Sequence, residues 1–189
     1  MIRSLAVAAL VLAGCAAPDK QVLRRVEVPN AGFEQGAPGN QGCPRPWFCV
    51  VHAGATEAHR LFFEERDPPE GKRAFCVERI TDEPWIYVSE TVPAPPLARA
   101  TVRFSIAVRA ERLTGPGVSA FIATHGMSDH PDRQQHMVTE TRGWQRLQVE
   151  ARVPSNARLV EFGVQLEGGG KVCMDDARLE VLATPGGPV

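Results

Sequence analysis

The strongest constraint on the fold is a period of two in the apolar residues, repeated in segment after segment. In Thr101–Arg109, Val102, Phe104, Ile106 and Val108 fall on one side and polar residues on the other. Successive side chains of a strand point to opposite faces, so such a run buries one face and wets the other. Arg146–Val153 repeats the pattern through Leu147, Val149, Ala151 and Val153, and Arg158–Leu166 through Val160, Phe162, Val164 and Leu166. Ile86–Val92 alternates less cleanly, because Glu90 takes an apolar slot. Leu61–Glu65, Arg73–Ile80 and Gly117–Thr124 are further strand candidates. Turn-forming runs separate them, at Asp67–Gly71, Pro93–Pro96, Thr114–Gly117 and Gly168–Gly170. Helical periodicity is almost absent. Many short alternating strands with regular turns predict an all-β chain, an antiparallel β-sandwich in a single domain over residues 25–183, with a disordered tail at 184–189.

The final strand, Lys171–Val181, holds an anomaly. Alternation puts Cys173, Asp175, Ala177, Leu179 and Val181 on one face, so a carboxylate stands among residues that read as core. A buried ionised Asp is costly unless it is paired, hydrogen-bonded or bound to a metal.

The first residues and the cysteines bear on compartment. Met1-Ile2-Arg3 is a short basic start, and Leu5–Leu12 is an apolar run too short to span a bilayer, so residues 1–14 read as a secretory signal. Leu12-Ala13-Gly14-Cys15 resembles the lipobox of bacterial lipoproteins. That resemblance implies lipidation of Cys15, a tether over residues 15–24 and anchoring by acyl chains. Ala16, not Asp, then implies the outer membrane of a Gram-negative cell. Cys43, Cys49, Cys76 and Cys173 remain, an even number that suits an oxidising compartment. Four cysteines allow three pairings. Cys43–Cys49 as a local clasp and Cys76–Cys173 as a tie between strands is the favoured one, although Cys76 alternates with Phe75 and Val77 and its face stays open. A zinc site has no short paired-Cys spacing to support it. The formal charge of −1, without any basic block, argues against a nucleic-acid partner.

Four separated pieces stand in a telling order: Pro29-Asn30-Ala31-Gly32-Phe33-Glu34; Glu83-Pro84-Trp85 through Val108-Arg109-Ala110-Glu111; Thr141–Leu147 with Val153-Pro154; and Phe162-Gly163-Val164 with Met174-Asp175-Asp176. Together, over residues 26–182, they resemble the galactose-binding-like jelly roll of carbohydrate-binding modules. The resemblance implies two antiparallel sheets with a concave face. It also implies a structural calcium tying the opening segment to the last strand, with carboxylates from Glu34 and Asp175 and backbone carbonyls near Gly32 and in the Gly71-Lys72 turn. Hydrogen bonds from the Phe33-Glu34 turn to Asp175, without metal, are the alternative. A sugar site of this kind sets a ring against the sugar's apolar face and polar groups against its hydroxyls. Trp85 and Tyr87 share a parity opposite Ile86 and Val88, which puts two rings on a non-core face. Arg103, Ser105, Arg109, Gln148 and Gln165 are outward polar residues able to serve it. Trp144 and Trp47 read as packing.

Enzyme chemistry finds little support. His125, His130 and His136 lie five and six residues apart in what reads as a polar Gly/Pro-bearing loop, a spacing that fixes no shared face. Glu64-Glu65 and Asp82-Glu83 are neighbours, and strand neighbours point apart, whereas glycoside hydrolysis needs carboxyls facing across a cleft. The expectation is a non-catalytic lipoprotein at the cell envelope that binds a glycan. An envelope scaffold or protein-interaction domain on the same fold, without a sugar site, is the alternative.

Overall fold

The computed structural model describes residues 20–36, 42–126, 132–140 and 143–183. The expected signal peptide, Cys15, His130 and the tail at 184–189 lie outside the described residues. Nine strands follow in chain order: β1 Val22–Val26, β2 Phe48–Val51, β3 His59–Glu64, β4 Ala74–Arg79, β5 Trp85–Pro93, β6 Thr101–His125, β7 Asp132–Val138, β8 Gln145–Arg152 and β9 Leu159–Leu182. All their pairings are antiparallel.

Two of these strands run through the whole fold. β6 and β9 pair from Thr101↔Leu182 to His125↔Leu159, and each bends midway. Residues 117–125 of β6 and 159–167 of β9 form the centre of a first leaf, ordered β2-β5-β9-β6-β7. Residues 101–111 and 171–182 form the centre of a second, ordered β8-β6-β9-β4-β3, with β1 beside the end of β9. The Thr114–Gly117 and Gly168–Gly170 runs, expected to end strands, instead make the corner where both strands pass between leaves. The bend needs glycine. At Gly168 φ is +89°, and a Cβ there would stand 2.1 Å from the Thr114 carbonyl oxygen.

The inner faces meet as the alternation requires. Phe104 of the second leaf and Phe162 of the first bring their rings to 5.1 Å, and Trp47 meets Phe162 edge-on at 6.0 Å. Phe33 lies between Trp47 and Phe75 at 4.9 and 6.0 Å and is wholly buried. Trp47 is packing, as expected, with its indole N–H donated to the Pro29 carbonyl.

Three sequence expectations change. β9 does not keep one parity: its register against β6 slips between Ser105 and Ala107, and Asp176 adopts φ +49°. This is a β-bulge, made with a residue type that tolerates the left-handed region. Cys173 and Asp175 therefore face outward from the second leaf, while Ala177 and Leu179 face the core. The segment read as a histidine-bearing loop contains β7, an edge strand whose residues 133–136 are all exposed and so show no alternation. Finally, β1 begins at Val22, within the stretch expected to be tether.

Both favoured disulfides form, Cys43–Cys49 and Cys76–Cys173. Cys76 and Cys173 are register partners on β4 and β9, on the outer face of the second leaf, which settles the face left open for Cys76. The two are separated by 97 positions, so their bond closes a long loop of the unfolded chain. Replacing both with Ala is expected to lower unfolding free energy by about 2–5 kcal/mol in urea melts, and removing Cys43–Cys49, which closes a far shorter loop, by less.

Candidate functional site

The outer face of the first leaf gathers rings and polar groups in a grid set by register. One row runs Val50–Tyr87–Gln165–Ser119, and the next Phe48–Ser89–Gly163–Phe121. Trp85 stands beside Tyr87 at the end of β5, and the two rings stack at 5.6 Å with 19° between planes. Tyr87 meets Phe121 edge-on at 5.9 Å. The guanidinium of Arg133, from β7, lies 3.9 Å above the Phe121 ring and donates to Gln165 Oε1.

Burial shows that this face is dished. Its central outward residues Ser89, Ser119, Phe121 and Ala123 are 1–2% exposed, while Phe48 and Val50 at its edge are 57% and 37% exposed. Two His–Glu pairs flank the rings. His52 packs edge-on to Trp85 at 5.5 Å and its Nδ1 lies 2.7 Å from Glu83 Oε1. His125 Nε2 lies 2.8 Å from Glu161 Oε2, and the other oxygen of Glu161 accepts from Ser89 at 2.8 Å. Burial, and after it the Glu161 carboxylate, push the Tyr87 phenol above its ordinary value, so the ring stays neutral and keeps its O–H donor.

Trp85, Tyr87 and Gln165 are thus brought together. Arg103, Arg109, Ser105 and Gln148 are not: they lie on the second leaf and point away from the rings. Parity marks them as outward, but only the pairing tells which leaf they belong to. Arg103 grips Glu150 through Nε and Nη2 at 3.1 and 2.8 Å. Arg109 bonds Glu64 at 2.5 Å, reaches the Arg66 carbonyl and covers the Trp144 ring at 4.8 Å. Trp144 donates its indole N–H to the Asp67 carbonyl, as a structural residue would. The sequence reading missed Phe121, Arg133 and Glu161, and weighed His125 only as part of a polar loop. Phe121 had a signal: it is the aromatic on the non-core parity between Ala120 and Ile122.

The residues expected to share a calcium meet at one turn, from two sides. Asp175, 0% exposed, accepts from the Glu70 amide at 2.9 Å and the Asp176 amide at 2.7 Å. Glu34 accepts from the amides of Lys72 at 2.7 Å and Arg73 at 3.2 Å. Gly71, with φ +64°, lets Glu34 approach, since a Cβ there would stand 2.1 Å from its Oε1. The Lys72 N–H is thus taken by Glu34. Hydrogen bonds to Asp175 come from Glu70 and Asp176, not from the Phe33-Glu34 turn. Gly32 lies against both Asp175 and Glu70, whose oxygens are 3.8 and 3.6 Å from its Cβ direction. Among the described residues, the His, Cys, Asp and Glu groups within metal-sharing distance are Glu64, Cys76 and Cys173, and both sulfurs there are in the disulfide.

No family model matches the sequence, and no curated protein matches it. Solved structures do match. The xylan-binding domain CBM22-1 of Paenibacillus barcinonensis Xyn10C is 13% identical, with a TM-score of 0.56 over 89% of this chain and 99% of that one. TmCBM61 in complex with β-1,4-galactotriose is 18% identical, with a TM-score of 0.53 over 80% of this chain and 95% of that one. The enzymatically active domain of tailspike protein 4 from bacteriophage CBA120 gives 0.61 at 10% identity over 82% of this chain. The match takes in only 21% of the tailspike chain. At these identities the likeness establishes the fold. It is an antiparallel jelly roll, similar to that of the matched carbohydrate-binding modules.

The clasp carries a pH signature. Burial pushes the Asp175 carboxyl up to about 6, and Glu70 and Asp176 add to the push against the lowering effect of the two amides. A folded-state value above the unfolded one means the folded chain holds the proton more tightly. The stabilisation is therefore full below about pH 4 and lost as pH rises to about 6, a change of about 3 kcal/mol. In urea melts, the stability of wild type relative to Asp175→Asn should fall by that amount as pH rises over this interval. Parallel pH profiles for the two proteins would rule the effect out.

Proposed function

We propose that this protein binds a glycan, without catalysis, on the outer face of the first leaf. The observation that carries the reading is the stacked Trp85–Tyr87 pair beside Phe121 on a dished surface. Outward rings have no packing duty toward the core, and a pair of them beside polar groups matches what a sugar ring presents, an apolar face with hydroxyls at its edge. Gln165, Ser119 and the Tyr87 hydroxyl supply the hydrogen-bonding partners. Five strands at the usual spacing make the face about 19 Å wide, which suits several sugar units in a row. Its fold neighbours include domains described as binding xylan and β-1,4-galactotriose, which supports a polysaccharide ligand. The lipobox-like Leu12-Ala13-Gly14-Cys15 supports, on this reading, anchoring at the cell envelope through lipidated Cys15, with the dish turned to envelope or external polysaccharide.

An envelope-protein partner is the second reading. Phe48 and Val50 favour it, being exposed apolar residues on an edge strand that continue the ringed face.

Affinity electrophoresis against a panel of polysaccharides separates the two. Trp85→Ala and Tyr87→Ala are each expected to weaken binding by about thirtyfold, equivalent to about 2 kcal/mol. Retention unchanged in both variants would remove the ring pair from the site, and retention by no polysaccharide would favour the protein partner.

We also propose that the clasp takes calcium at Asp175 and Glu70 beside Gly32, with Glu34 left to the turn amides. The support is a wholly buried carboxylate that receives amides but no cationic side chain, with Glu70 and Asp176 adding negative charge around it. A divalent cation would supply the missing countercharge. Calcium at a hundredfold excess over its Kd should stabilise the protein by about 2.7 kcal/mol. The gain should be larger at pH 7 than at pH 5 and absent in Asp175→Asn. Identical melting with calcium and with chelator would leave Asp175 held by amides alone.

A further inference from the structure

The polar corner of the dish is made of hydrogen-bond donors. Arg133 has two partners, the Phe121 ring beneath its plane and Gln165 Oε1. No carboxylate lies within ion-pair distance of it among the described residues; Glu161 and Glu167 act on it only from further away. Glu161 is in any case bonded by Ser89 and His125. Because the Gln165 oxygen accepts from Arg133, its amide N–H groups remain as donors. Ser119, the register neighbour of Gln165, is 1% exposed and its hydroxyl has no partner. Strand parity aims it into the dish, opposite to the core residues Val118 and Ala120. Three donor groups thus converge beside a ring platform, and the acceptor among them, the Gln165 oxygen, is taken by Arg133.

We propose that the ligand of this face is an acidic glycan, with the carboxylate of a uronic acid residue taken by Arg133. The inference rests on the reading of the face as a glycan site and narrows it. Stacking on Phe121 covers a face of the guanidinium but leaves its N–H edge open, and that edge matches a carboxylate with two parallel bonds. Gln165 and Ser119 then donate to the acid or to the neighbouring hydroxyl. A neutral sugar would leave this cation without a counterion. The chain as a whole carries a formal charge of −1, so general attraction to polyanions cannot stand in for a local site.

The test is affinity electrophoresis of the full chain in gels containing polygalacturonate, xylan or β-1,4-galactan, with wild type, Arg133→Gln and Arg133→Lys. Far-ultraviolet circular dichroism and melting curves show whether each variant is folded. Wild type should be retained most by polygalacturonate, and less as salt is raised. Arg133→Gln should lose that retention by about tenfold, and Arg133→Lys, which keeps the charge but not the planar fork, by an intermediate factor. Wild type retained as strongly by xylan or galactan, or a folded Arg133→Gln retained by polygalacturonate like wild type, would overturn the acid assignment and leave the glycan face standing. Retention by none of the three polymers would overturn both.

Discussion

A carboxylate buried without a countercharge holds the two ends of this chain against one turn. Asp175, from the last strand, takes the amide of Glu70; Glu34, from the opening segment, takes the amides of Lys72 and Arg73. The amide of Ala177, just past the bulge, reaches back to the Ala31 carbonyl. Three distant stretches are thereby fixed to one another by backbone donors that would otherwise be difficult to satisfy away from water. The β-bulge at Asp176 is what makes this possible. It turns Asp175 out of the sandwich and under the turn, while Ala177 and Leu179 return to the core. The Cys76–Cys173 bond fastens the same strand two residues earlier, so the closing strand is tied both covalently and by hydrogen bonds.

These ties occupy the outer face of the second leaf. Around the disulfide, Glu64 pairs with Arg109 and Lys171, and Glu111 pairs with Lys171 and Arg66. Further along, Asp176 pairs with Arg146 and Arg178, and Glu150 with Arg103 and Lys20. Nearly every charge on that face has a partner of opposite sign, several of them half-buried. On the dish of the first leaf the balance differs. Trp85 and Tyr87 are partly exposed, the Ser119 hydroxyl is unpartnered and Arg133 sits on a ring beside a neutral amide. One face is closed chemically and the other is open, which is why a ligand is assigned to the first leaf.

Much of this was legible in the alternation of side chains. The strands around Phe104, Leu147 and Phe162 and the outward pair Trp85–Tyr87 follow from period and position, whereas for the four internal cysteines these favour one pairing and leave the face of Cys76 open. What the sequence concealed has particular causes. β7 is an edge strand wetted on both sides, so its run of Asp, Arg, Gln and His reads as a loop. The bulge at Asp176 inverts parity within a strand whose sequence keeps alternating, so Asp175 looks like a core residue when it is not. Arg103, Arg109 and Gln148 were correctly outward, yet outward has two meanings in a sandwich. Only the register of β6 against β9 tells the leaves apart.

The bent pair β6–β9 links the two halves of this division. Each strand gives one half to each leaf, so Asp175 and Gln165, and likewise Arg109 and Phe121, belong to the same continuous strands. The glycine corner between them sets how the leaves are rotated against one another. Fastening β9 at Cys173 and Asp175 therefore also fixes where its first-leaf half, with Glu161, Gly163 and Gln165, presents itself. A ligand face built on loops would need ordering when it binds. The proposed glycan face is built on sheet strands already anchored at the other leaf, so its rings are held in place before any ligand arrives.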